Sequence, residues 1–124
     1  MFGTLVQVAL GGALGASARW GLGLAVSRHA TGALPLPILV ANVLGSFLMG
    51  AFVVWAARTG QADWMPFIAV GVLGGFTTFS TFSLETVTLL ERGAIGVAAL
   101  YVALSVGLSV GALALGALLM RAAT

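Results

Sequence analysis

The chain has 124 residues, of which 60% are hydrophobic and 6% charged, with five basic residues against three acidic ones and a formal net charge of +2. A soluble domain carries about a quarter charged residues, so this chain cannot face water on all sides and reads as an integral membrane protein. Five scattered arginines and no lysine exclude the clustered basic footprint of a nucleic-acid binder. The absence of cysteine excludes disulfides, thiolate metal sites and cysteine nucleophiles.

Polar punctuation divides the sequence into four apolar blocks. The first spans about residues 2–26 and ends at Ser27-Arg28-His29-Ala30-Thr31-Gly32. Its start, Met1-Phe2-Gly3-Thr4, lacks the basic region of a signal peptide, so the block is expected to stay in the mature protein. Gly11, Gly12, Gly15 and Gly23 give it a small-residue face suited to close helix packing. The second block, about 36–57, opens at Pro35 and Pro37, which suit a helix start. Asn42, Ser46 and Gly50 recur at one-turn spacing along it, with Gly45 beside them. The Asn42 amide either glues helices together, worth about 1–2 kcal/mol in model peptides, or donates N–H groups to an anion. The third block covers about 64–90 and the fourth about 94–120. Tyr101, Ser105 and Ser109 form a hydroxyl row on the fourth, while Gly107, Gly111 and Gly116 give it a small-residue face. Each serine either bonds back to a carbonyl one turn earlier or lines a polar cavity. Trp20, Trp55 and Trp64 fall near block ends, where interfacial aromatics sit. Blocks this long predict transmembrane helices. The expected fold is all-α, a single four-helix transmembrane domain over residues 1–124.

The third block departs from this pattern at its middle, Gly74-Gly75-Phe76-Thr77-Thr78-Phe79-Ser80-Thr81-Phe82-Ser83. Each glycine loses about 1 kcal/mol against alanine in a helix, so the helix is expected to break at Gly74-Gly75, near the midplane. Thr77 or Thr78 would restart it as an N-cap. Freed carbonyls before the break suit a cation, and the N–H end after it suits an anion. If two copies cross antiparallel, four carbonyls would surround one hard cation such as Na⁺. Phe76, Phe79 and Phe82 recur every third residue, either facing lipid and neighbouring helices or presenting positive ring edges to an anion. Thr81, Glu85 and Thr88 share a helical row.

Charges inside spans are costly and point to function. Arg19 and Glu85 fall at similar depth; they pair, or Arg19 draws anions into a vestibule. His29 reads as a solvated loop residue. Across the loops Arg58 and Arg121 share one side and Arg28 and Arg92 the other, a balance that permits insertion both ways and an antiparallel homodimer. Asp63 and Glu91 lie in loops and Glu85 has no partner base, so no nucleophile–base pair supports an enzyme.

Three motifs carry a resemblance: Gly11-Gly12 with Gly15 and Arg19-Trp20; Asn42-x-x-Gly45-Ser46-Phe47-x-x-Gly50; and Gly71-x-x-Gly74-Gly75-Phe76-Thr77-Thr78-Phe79-Ser80-Thr81-Phe82. Together they resemble the Fluc/CrcB fluoride channels along the whole chain, although that family often has tyrosine where this chain has Trp20. The resemblance implies an antiparallel, dual-topology homodimer with two fluoride pores that passively exports fluoride across the cytoplasmic (inner) membrane. It implies pore residues at Asn42, Phe79, Phe82, Ser80 and Thr81, with a hydroxyl track at Tyr101, Ser105 and Ser109. It also implies a structural Na⁺, not transported, held by the carbonyls of Gly74 and Thr77. A small multidrug-type proton-coupled transporter is the alternative, but that class resembles an antiporter with a glutamate in span one, where this chain has Arg19 and no acid. A non-transporting assembly subunit would use the small-residue faces and leave the hydroxyl rows unexplained.

Overall fold

A computed structural model describes all residues from Met1 to Thr124. Helix α1 runs Phe2–Ser27 and α2 runs Leu36–Thr59. The third segment begins with a 3₁₀ turn at Ala62–Trp64, winds as a π-helix over Pro66–Leu73 and tightens into a short α-turn, α3, at Gly74–Phe76. After an interruption, α4 spans Phe79–Glu91 and α5 spans Ile95–Ala123. The chain is all-helical. Three segments, Leu36–Thr59, Ala62–Glu91 and Ile95–Ala123, are long and apolar enough to cross a membrane. Helix α1 has 26 residues, but Gln7, Arg19 and its glycines dilute its apolar character.

Local chemistry sets these boundaries. Pro35 caps α2 and Pro37 lies in its first turn, where a missing N–H costs nothing. Gly60 ends α2 in the left-handed region at φ +71°, and the Gln61 N–H reaches back to the Ala56 carbonyl at 2.9 Å. Gly93, at φ +79°, ends α4 in the same way, with the Ala94 N–H donating to the Leu89 carbonyl at 2.9 Å. Only glycine enters that region without a Cβ penalty.

Two backbone seams hold the helices together. Helix α1 packs on the π-helix and α3. A Cβ on Gly11 would overlap the Phe67 carbonyl, and one on Gly75 would lie 2.7 Å from the Gly12 carbonyl. Helix α2 packs on α5, where Gly50 faces the Leu113 carbonyl and Gly116 faces the Phe47 carbonyl, again with no room for a Cβ. This is close approach of the kind small residues permit in membranes. Gly107 and Gly111 are exposed with nothing near them, so of the small-residue face expected on the fourth block only Gly116 enters a seam.

The break also falls elsewhere than expected. Gly74 keeps right-handed helical geometry (φ −63°, ψ −38°), and extended backbone appears at Thr77 (φ −88°, ψ 157°) and Thr78 (φ −153°, ψ 122°). The physical reason is the α1 seam: Gly75 is needed for contact with Gly12, and tertiary packing outweighs its poor helix propensity. Below the break, Leu39, Phe82, Leu89, Ala98 and Tyr101 form a buried cluster joining α2, α4 and α5.

Candidate functional site

The site grows out of the two extended residues. Thr77 closes the first limb, since its N–H and its hydroxyl both donate to the Leu73 carbonyl, at 3.0 and 2.9 Å. Its own carbonyl accepts from Arg19 Nη1 at 3.2 Å. Thr78 turns its backbone toward α2. Its N–H donates to Asn42 Oδ1 at 2.7 Å, and its carbonyl accepts from Asn42 Nδ2 at 3.0 Å. Of the two roles open to Asn42, the structure shows the glue, and the amide retains one N–H and one lone pair. The Thr78 hydroxyl accepts from the Thr81 N–H at 3.2 Å, the side-chain N-cap expected for α4. An unsatisfied backbone group at membrane depth costs several kcal/mol; here side chains from α1 and α2 replace the bonds lost by breaking the helix.

A groove of about 270 Å³ opens beside this linker. Asn42 and Ser46 of α2 form one wall, and Ser105, Val106, Ser109 and Val110 of α5 form another. Thr77, Thr78, Phe79 and Phe82 complete it. Phe79 is 77% exposed, whereas Phe82 is 8% exposed, and their ring centroids lie 5.4 Å apart. The Ser105 and Ser109 hydroxyl oxygens are buried and have no hydrogen-bond partner. Neither bonds back to a carbonyl of its own helix, so the cavity-lining alternative describes them. No charged side chain lines the groove.

The remaining predicted residues take other places. Ser80 Oγ and Thr81 Oγ1 each lie 3.2 Å from Thr78 Oγ1, a cluster at the start of α4 and off the groove wall. Tyr101 is fully buried beneath Phe82, ring centroids 5.2 Å apart, and its hydroxyl donates to Glu85 Oε2 at 2.9 Å. Arg19 therefore does not pair with Glu85. Helix α1 packs on the first limb while α4 leans on α5, which places the two charges on different sides of the bundle. Gly74 is exposed, and its carbonyl loses the Thr78 N–H that an unbroken helix would offer it. Ser46 and Thr78 line the groove without having been singled out as site residues. Their signals were present: Ser46 sits one turn beyond Asn42, and Thr78 directly precedes Phe79 at a cap position.

Chemically, the groove offers hydroxyl and amide donors and two aromatic rings, with no carboxylate to repel an anion. A family model described as "CrcB-like protein, Camphor Resistance (CrcB)" matches residues 6–117. A relative from Ruegeria sp. (strain TM1040), a fluoride-specific ion channel FluC, is 59% identical over 120 residues, covering 95% of this chain and 94% of its own. A protein of the same name from Roseobacter denitrificans is 62% identical over 109 residues, 86% of each chain. Another, from Caulobacter vibrioides, is 43% identical over 120 residues, 94% of each.

Proposed function

This chain belongs to the CrcB-like family, and from that premise we propose that it is a fluoride-specific ion channel, exporting fluoride passively across the cytoplasmic membrane and lowering cellular fluoride. The observation that carries the reading is the pair of buried, unpartnered serine hydroxyls on a groove without charged groups. A buried donor left unpaired costs about 1–3 kcal/mol. That cost is recovered when an anion reaches it.

Fluoride entering the groove exchanges its water for the Ser46, Ser105 and Ser109 hydroxyls, the free N–H of Asn42 and the ring edges of Phe79 and Phe82. Ser80 and Thr81 sit at the Thr78 cap, and Tyr101 supports Phe82 from below. Arg19, whose guanidinium keeps further N–H donors beyond the one given to Thr77, adds positive charge that draws anions toward the break. All four long segments span the membrane in this reading. A second copy, inserted antiparallel, covers the exposed Phe79 face and completes two pores. Balanced arginines on the two sides support that arrangement.

A structural Na⁺ fits the donor set. No group of three or more His, Cys, Asp or Glu side chains is placed to hold a metal, so a cation here needs neutral oxygens. Gly74 offers a carbonyl freed by the break, and Thr77 offers a second lone pair beside the Arg19 bond. Two copies would supply four such oxygens, and the bound ion would fix the two chains against each other.

Purified protein in liposomes, with efflux followed by fluoride and chloride electrodes, tests the channel reading. Rapid fluoride release with chloride retained is expected; no fluoride release, or equal chloride release, rejects it. Exchanging Na⁺ for a large organic cation is expected to lower dimer stability, and an unchanged dimer rejects the cation.

A further inference from the structure

Both polar ends of the Asn42 side chain go to the backbone of a single residue. The Thr78 N–H donates to Oδ1 and the Thr78 carbonyl accepts from Nδ2, the two-bond exchange by which antiparallel strands pair. Thr78 itself is extended, at φ −153° and ψ 122°. Helix α2 comes this close because of Gly45, about one turn after Asn42, where a Cβ would overlap the Thr77 methyl. Arg19 makes one bond, and only to the Thr77 carbonyl.

Without the amide, the Thr78 N–H and carbonyl lose their partners in a region that offers few others. The nearest repair is helical: the Thr78 N–H returns to the Gly74 carbonyl and α3 joins α4. Extended residues rise about 3.3 Å each against 1.5 Å in a helix, so rewinding two of them draws α4 in by about 3.6 Å and turns its faces. Phe79 and Phe82 would leave the groove.

We infer that Asn42 is a positioning residue of the ion pathway: its amide selects the broken third helix over a continuous one, and through Thr78 it sets where Phe79 and Phe82 meet the groove. The inference rests on the channel reading above, but its structural half is measurable without flux.

The test is solid-state NMR of the full-length protein in lipid, reading the Thr78 Cα and Cβ shifts, alongside fluoride efflux. Asn42→Ser keeps a donor on the groove but is too short to pair with Thr78. It is expected to move the Thr78 shifts from extended toward helical values and to reduce flux about a hundredfold. Asn42→Asp keeps an acceptor for the Thr78 N–H and is expected to retain more of the extended signature than Asn42→Ser. Flux lost with Thr78 still extended would show Asn42 acting on the anion alone and overturn the inference, as would helical shifts with flux intact. Should the variants not fold, the wild type decides. An Asn42 side-chain amide already ordered in fluoride-free protein supports the clamp, and one that is mobile until fluoride is added overturns it.

Discussion

Helices α4 and α5 both carry hydroxyls in an apolar background, yet they use them in opposite ways. On α4, Ser83, Thr86 and Thr88 donate to the carbonyls of Phe79, Phe82 and Leu84, at 2.9, 2.8 and 2.8 Å. On α5, the hydroxyl oxygens of Ser105 and Ser109 are buried and bond to nothing. Spacing alone does not separate the two cases, because every one of these residues has a carbonyl one turn before it. Their surroundings do. Ser105 and Ser109 border the groove with Asn42 and Phe82, whereas none of the three α4 hydroxyls does. A hydroxyl closed on its own helix offers nothing to an ion; one held open inside the protein is a donor in waiting.

The two helices meet at Phe82, so the largest effect is expected there. Phe82→Ile removes the aromatic ring that lines the groove and its contact with Tyr101. Fluoride efflux is expected to fall at least about a hundredfold, equivalent to about 2.8 kcal/mol, with the oligomeric state on gel filtration unchanged. Full flux would return Phe82 to a packing role. Next comes Tyr101→Phe, which leaves the Glu85 carboxylate without its donor. Thermal unfolding in detergent is expected to show a loss of about 1–3 kcal/mol, with flux reduced severalfold through the Phe82 support. An unchanged melting temperature would mean that Glu85 finds another partner. The smallest effect is expected for Thr86→Val, which keeps the side-chain shape and deletes only a bond to its own helix. Efflux should stay within about twofold, because a net hydrogen bond is worth only about 1 kcal/mol and this one lies off the groove. A large loss would place α4's closed hydroxyls on the ion's path after all.

Much of this architecture is legible in the residues. The four apolar blocks appear as long helical segments close to their expected bounds, because composition and length dominate secondary structure in membranes. The α4 cap at Thr78 also follows from local chemistry, whereas of the α5 hydroxyl row Ser105 and Ser109 line the groove and Tyr101 turns to Glu85. What the residues hide depends on which neighbour a helix meets. Gly74-Gly75 suits a break and a close contact equally well, and only the seam with Gly12 decides between them. Arg19 and Glu85 hold similar places along their blocks, but that spacing does not say that α1 lies against the first limb and α4 against α5. The two hydrogen bonds exchanged between Asn42 and Thr78 join residues 36 positions apart, beyond any local pattern.

The contrast between closed and open hydroxyls is tested most directly by Ser105→Ala combined with Ser109→Ala, measured as fluoride efflux from liposomes beside the thermal stability of the same protein. Removing two unpartnered buried hydroxyls should leave the fold as stable as before, or more so, while fluoride efflux drops at least about tenfold, about 1.4 kcal/mol. Undiminished efflux from a stable double variant would contradict the account.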